Sequence, residues 1–87
     1  MITSSQHSVD GTAVRIAPTG EGYRDVHVHN IGNGAVYLNG ANTVTTSTGF
    51  YLDKGAGPQV FHIAPQDEMW AIAGGTAQTV TVLIVGV

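Results

Sequence analysis

Glycine and proline interrupt this chain at short intervals along its whole length, and that spacing limits which elements can form. Twelve glycines and three prolines divide the 87 residues, and the segments between them are rich in Val, Ile, Thr and Tyr. These residue types favour extended strands, whereas glycine and proline favour turns. No segment keeps an apolar period of 3.6 residues, so we predict no long helix. We therefore expect an all-β fold, either a small β-sandwich or a jelly-roll-like barrel of about seven or eight short antiparallel strands.

Alternation of apolar side chains and the positions of turn residues locate the strands. We predict strands at residues 6–9, 13–17, 24–31, 35–38, 59–64, 69–73 and 78–85, with two shorter segments at 44–46 and 50–52. Residues 32–34, Gly-Asn-Gly, are typical of a hairpin turn because Asn and Gly adopt positive φ at low cost. The last strand carries apolar side chains on both faces, which predicts a central strand or one that meets another subunit. We expect residues 9–87 to form one domain and residues 1–8 to form an extended N-terminal arm.

Charge and size restrict the partners. Only 10% of the residues are charged, compared with roughly 25% in an average soluble domain. Three basic residues against six acidic ones argue against a nucleic-acid partner, because phosphate binding needs clustered Lys and Arg. No apolar run approaches the roughly 20 residues of a membrane helix, and we expect neither a signal peptide nor a membrane partner. A surface with so few charges favours a homo-oligomer or docking on a larger assembly, although neutral Thr, Ser, Asn and Gly could also solvate it.

Histidines are the first candidates for chemistry. His27 and His29 are spaced i, i+2 on a predicted strand, so both side chains project from one face, and Asp25 shares that face. His62, on another strand, would complete a set able to hold Zn²⁺ or another transition metal, as in a small cupin-like protein. The other interpretation is that these are surface or subunit-interface histidines, because so short a chain has little room for a substrate pocket. We favour the second interpretation and expect no metal or other cofactor.

Motifs for catalysis do not appear in the sequence, and we expect no enzyme. There is no Gly-x-Ser-x-Gly elbow, and Asp67 and Glu68 are adjacent, so on a strand they face opposite sides. We expect most of the six aromatic side chains in the core. Phe50 and Tyr51 are adjacent, so one should face inward and the other outward, where it is a candidate contact. An outward aromatic ring could also stack on a sugar, which leaves open a tail or fibre-associated module that binds host-surface glycan.

Four motifs follow one another within residues 26–87. They are VYLNG at 36–40, VTTSTGFYL at 44–52, DEMWAIA at 67–73 and VTVL at 80–83. This series resembles a family of short tailed-phage virion proteins, whose members are capsid decoration (cement) proteins or minor head and tail proteins. The chain departs from the family pattern at Asn39, where glycine is usual, and at Trp70, where tyrosine is usual. Asn tolerates left-handed backbone and Trp keeps an aromatic ring, so both departures are mild.

The resemblance implies a decoration protein on the outside of a bacteriophage head shell. Such a protein would bind the major capsid protein, assemble as a homotrimer in the host cytoplasm and stabilise the shell on the virion surface. The N-terminal arm and exposed loops would then touch the shell. We expect Ile2, His7, Phe50 and Tyr51 among the partner contacts.

Overall fold

The described part of the chain forms eight strands. The computed structural model describes residues 1–55 and 57–86; Ala56 and Val87, which the predicted domain includes, lie outside the described residues. The strands are β1 (Ile2–Val9), β2 (Val14–Ala17), β3 (Arg24–Asn30), β4 (Val36–Asn39), β5 (Phe50–Leu52), β6 (Gln59–Ile63), β7 (Met69–Ala73) and β8 (Gln78–Gly86). Within these two ranges there is no helix, and hence none long and apolar enough to cross a membrane.

The strands pair into two antiparallel sheets. The first sheet has the order β1-β8-β3-β6 and the second the order β2-β7-β4-β5. Each of the first four strands therefore has a partner among the last four, which is the strand order of a jelly roll. The predicted all-β sandwich is confirmed. The prediction for the last strand is confirmed as well, because β8 lies between β1 and β3.

An aliphatic core lies between the sheets. Burial alternates along β3, with Val26, Val28 and Asn30 buried and the residues between them half-buried. The expectation that most aromatic side chains lie in the core is wrong, because none of the six is buried, although Phe61 packs against the core. The buried apolar residues are Val9, Ile16, Ala17, Val26, Val28, Val36, Leu38, Val44, Leu52, Met69, Ala71, Ala73, Val80 and Val82.

Residues 1–8 differ from the expected arm. Residues 2–8 belong to β1, which pairs with β8 in a continuous register from Ile2↔Val85 to Val9↔Gln78. The strand thus begins at Ile2, not at the predicted residue 6. Side chains 2–6 are exposed on both sides of the strand, so pairing through the main chain orders this segment without leaving an apolar pattern in the sequence.

The predicted strand at residues 44–46 is wrong, because these residues lie in the turn between β4 and β5. The Oγ1 atoms of Thr45 and Thr48 are 2.9 Å apart, and the Gly49 N–H donates to the Thr45 carbonyl at 2.9 Å. A Cβ on Gly49 would lie 2.6 Å from Cβ of Tyr37, so only glycine fits there. Val44 anchors the turn in the core with 3% of its surface exposed. The VTTSTG motif is therefore a compact structural turn.

The Gly-Asn-Gly turn forms where predicted, but it does not make a hairpin, because β3 and β4 belong to different sheets. Asn30, which is fully buried, holds the chain where it crosses from the first sheet to the second. Its Oδ1 accepts the Gly32 N–H at 3.0 Å, and its Nδ2 donates to the Gly34 carbonyl at 2.8 Å. Nδ2 also lies 3.3 Å from the Leu52 carbonyl and 3.1 Å from the Asp53 carbonyl. Asn30 therefore ties β3 to the end of β5.

Candidate interaction surface

Side chains that alternate outward from the four strands of the first sheet form a surface that we call the histidine face. The register places His27 between Leu83 of β8 and Val60 of β6, and Asp25 between Val85 and His62. The strand residues of the face include Ile2, Ser4, Gln6, Asp25, His27, His29, Val60, His62, Thr81, Leu83 and Val85, with Tyr23 and Ile31 at the two ends of β3.

Exposed apolar side chains concentrate on the histidine face. Ile2 is 68% exposed, Val60 55% and Leu83 38%. Tyr23 and Ile31 are also exposed, and the Tyr23 ring stacks on His62 with centroids 5.6 Å apart. A cluster of this kind marks an interaction surface more often than single exposed residues do. Of these five residues, the sequence analysis predicted only Ile2 as a contact. The alternation along β3, which groups Ile31 with His27 and His29, could have identified Ile31 as well.

The predicted histidine pair on β3 is confirmed. His27 and His29 project from the same face of the strand. They line a shallow groove of about 530 Å³ together with Ser4, Gln6 and Leu83. The groove combines imidazole, hydroxyl and amide groups with the apolar residues Pro58, Val82 and Leu83.

His62 does not complete a metal site with that pair. Its Nδ1 lies 2.6 Å from Oδ1 of Asp25, on the neighbouring strand. Both side chains are more than one-third exposed, so solvent weakens this pairing. Among residues 1–55 and 57–86, no three His, Cys, Asp or Glu side chains are placed to hold a metal ion. The geometry therefore gives the metal hypothesis no ligand set in the part of the chain that is described.

Ile2 and His7, both predicted contacts, project to opposite sides of β1 because they are separated by an odd number of residues. His7 is opposite Val80, on the inner side of the sheet, and its Nε2 lies 2.9 Å from Oγ of Ser5. Partial burial lowers the pKa of His7 below its ordinary value of 6.5. His7 is thus outside the histidine face.

The outer face of the second sheet is built differently, and we call it the aromatic face. Its members are Arg15, Tyr37, Tyr51, Trp70 and Ile72. The Trp70 Nε1–H donates to Oε1 of Glu68 at 2.8 Å, and Nη1 of Arg15 lies 3.5 Å from the other oxygen of the same carboxylate. The polar groups around Trp70 are therefore already paired within the chain.

Tyr51, on the same face, also has its polar atom paired within the chain. Its hydroxyl donates to Oδ1 of Asp53 at 3.2 Å, and its ring packs edge-on against Tyr37 with centroids 5.6 Å apart. The negative charge of Asp53 raises the pKa of the Tyr51 hydroxyl above its ordinary value. Tyr51 is exposed, as predicted for one member of its pair, but its polar atom is occupied.

The expectation that one of Phe50 and Tyr51 faces inward and the other outward is confirmed, because Phe50 is opposite the buried Leu38 and Tyr51 is opposite Tyr37 on the outer face. Phe50 nevertheless keeps 58% of its surface exposed, because β5 is a three-residue edge strand, too short to close the sandwich on that side. Phe50 packs edge-on against Phe61 with centroids 5.8 Å apart. The two rings line an open groove of about 780 Å³ that also includes Leu38 and Met69.

Comparisons with known proteins give a fold and no family. No protein-family model matches the chain. No curated protein matches it either. A chain in a solved structure of the disulfide-linked pili of Bacillus endospore appendages is similar to it over 100% of this chain and 86% of that chain, with a TM-score of 0.64 and 15% identity. At that identity the similarity supports the sandwich architecture alone.

Proposed function

We propose that this chain is a structural protein of a bacteriophage virion, a decoration protein on the outside of the head shell, and that it has no enzymatic activity. The observation that supports a binding role is the histidine face, where five large apolar side chains are exposed on a chain with only 10% charged residues. The virion location, the major capsid protein as partner and the homotrimer are drawn from the resemblance of the four sequence motifs.

The histidine face is the surface that we assign to the shell contact. Burying its exposed Ile, Val, Leu and Tyr side chains would stabilise the complex by roughly 25 cal/mol per Å² of apolar area, before the cost of association. The aromatic face suits exposure to solvent better, because Glu68 and Asp53 already accept hydrogen bonds from Trp70 and Tyr51.

The positions of the family-like motifs support a structural role. Residues 36–40 and 50–52 supply β4 and β5, residues 44–49 supply the turn between them, and residues 69–73 and 80–83 lie in β7 and β8. These segments build the sandwich and its core. A pattern made of turns and core strands is expected for a subunit that binds a shell and covers its surface.

A second candidate, a subunit of a protein filament, is favoured by the fold similarity to the endospore appendage chain. That chain belongs to disulfide-linked pili. The present sequence contains no cysteine, so a filament built from it would not be linked by disulfides between these residues.

The deciding experiment is to purify the parent particle, separate emptied heads from detached tails, and count the copies of this chain in each by mass spectrometry. We expect many copies on every head and few on tails. A handful of copies confined to tails would contradict the decoration role and favour the glycan-binding module. Absence from both fractions, with recovery in filaments, would favour the second candidate.

A paired variant tests which face meets the shell. Val60→Glu adds a charge to the histidine face, whereas Thr76→Glu adds the same charge to the exposed loop between β7 and β8. We expect Val60→Glu to weaken binding to heads stripped of this chain by about tenfold or more. Thr76→Glu should bind like the wild type. Equal binding of both variants would show that another surface makes the contact.

A further inference from the structure

β1 is an edge strand whose outer side has no strand partner within the described chain. It stands at the end of the first sheet, and all eight of its residues pair with β8 in an unbroken register. Its sequence, ITSSQHSV, contains no Asp, Glu, Lys, Arg, Pro or Gly. Natural sheets usually protect such an edge, because an open row of N–H and C=O groups is a template for another strand.

The other three edges that the structure describes are each short or interrupted. β2 has four residues, a shift of register between Arg15 and Ala17, and Pro18 directly after it. β5 has three residues. β6 has five residues between Pro58 and Pro65. Of these four edges, β1 alone is long, regular and free of charge and proline.

The backbone groups on the open side of β1 can be assigned from two hydrogen bonds. The Gly86 N–H donates to the Met1 carbonyl at 2.8 Å, and the Ile31 N–H donates to the Thr79 carbonyl at 3.0 Å. Odd-numbered residues of β8 therefore bond toward β3, and even-numbered ones bond toward β1. Because bonded pairs alternate along an antiparallel ladder, the odd-numbered residues of β1 bond to β8. The residues that direct N–H and C=O groups away from the sheet are Ile2, Ser4, Gln6 and Ser8.

We propose that the open edge of β1 pairs with β1 of a second copy of this chain, antiparallel, about a two-fold axis at Ser5. In this register Ser4 of one copy is opposite Gln6 of the other, and Ile2 is opposite Ser8. All four outward residues then join hydrogen-bonded pairs, and the two first sheets become one continuous sheet.

A second copy fits this edge for two reasons. The strand has no charged residue, so two copies meet without like-charge repulsion. Hydroxyl, amide and imidazole groups then lie opposite one another, and such polar cross-strand pairs are favourable. The contact is independent of the proposed virion role. It forms a dimer, in contrast to the trimer that the sequence resemblance implies.

The test uses two proline variants that differ by one position. Ser4→Pro removes an outward N–H and leaves the bonds to β8 intact, whereas Ser5→Pro removes a bond to β8. We expect sedimentation equilibrium to give the wild-type chain twice its single-chain mass of 9.0 kDa. Ser4→Pro should have the single-chain mass and should melt at the same temperature as wild-type protein diluted until it is monomeric, whereas Ser5→Pro should melt at a lower temperature.

Three results would overturn the proposal. They are a wild-type chain that stays monomeric at every concentration, a wild-type mass of three chains, and a Ser4→Pro variant that still forms dimers. The trimer would leave the proposed function standing. If Ser4→Pro does not fold, hydrogen exchange of the wild type decides. Slow exchange of the Ser4 and Gln6 amide protons, comparable to Ser5 and His7, supports the contact, and rapid exchange of the first two overturns it.

Discussion

The two sheets of this sandwich are held together by different means. The strands of the first sheet have eight, nine, seven and five residues, and those of the second have four, five, four and three. Short strands form few main-chain hydrogen bonds, so the second sheet depends on side chains that fasten its ends, above all Asn30 and the turn around Thr45. The comparison shows that strand pairing organises the first sheet, whereas loop and anchor residues organise the second.

We expect the largest loss of stability from Asn30→Ala, which removes an anchor of the second sheet. The change leaves the carbonyls at the end of β5 and in the Gly-Asn-Gly turn without their donor, and we expect a loss of about 3 kcal/mol in the free energy of unfolding. Urea denaturation measures the loss, and hydrogen exchange should show β4 and β5 opening first. Asn33→Ala, in the same turn but exposed, is the control, with an expected change within about 0.5 kcal/mol. Equal losses in both variants would remove the anchor role of Asn30.

Gly49→Ala tests the turn that joins β4 to β5. The added methyl group would overlap Tyr37 and crowd Val44 and the Thr45 carbonyl, so we expect a loss of about 2 kcal/mol in the free energy of unfolding. Gly74→Ala is the matched control, because a Cβ there meets no atom within 4 Å. A Gly49→Ala melting temperature equal to that of Gly74→Ala would show that this turn can relax and does not hold the second sheet.

Val60→Thr tests whether outward side chains contribute to the stability of the first sheet. Val60 is 55% exposed, and Thr has nearly the same shape, so thermal unfolding should change by no more than about 0.5 kcal/mol. The histidine face would then be dispensable for folding and available for binding. A loss above about 1 kcal/mol would mean that the outward side chains also stabilise the first sheet.

The smallest expected effect concerns pH and His7 of β1. Because burial lowers the pKa of His7, the unfolded chain binds a proton at a higher pH than the folded chain does. The free energy of unfolding should therefore fall as the pH decreases from 6.5 toward the lowered pKa. Thermal melts at about pH 7.5 and about pH 5.5 should differ less for His7→Gln than for the wild type. An identical difference in both proteins would assign the effect to another group.

Much of the fold was predictable because strands with one buried side leave a two-residue period in the sequence. β3 shows this best, and the same period correctly grouped Asp25, His27 and His29. The beginning of β1 was missed because its side chains are exposed on both sides, and only main-chain pairing with β8 defines it. At residues 44–46 the β-favouring types Val and Thr misled the prediction, since side-chain hydrogen bonds of Thr45 support a turn.

The rest depends on contacts between residues far apart in the sequence. Asn30 looks like any polar residue at the end of a strand until Leu52 and Asp53 are placed beside it. The pairing of His62 with Asp25 likewise needs the register between β3 and β6. Leu83 could not be assigned to the outer surface from sequence, because β8 has apolar side chains on both faces.

The central position of β8 has a consequence for synthesis of the chain. β8 is the last of the eight strands to leave the ribosome, yet β1 and one side of β3 have no other partner in the first sheet. Until residues 78–86 emerge, a nascent chain carries β1 with no partner and β3 with one of its two. Exposed strands of this kind associate with one another when several chains are made close together. Translation speed and chaperone access during that interval should therefore affect the yield of folded protein more than they affect its final stability.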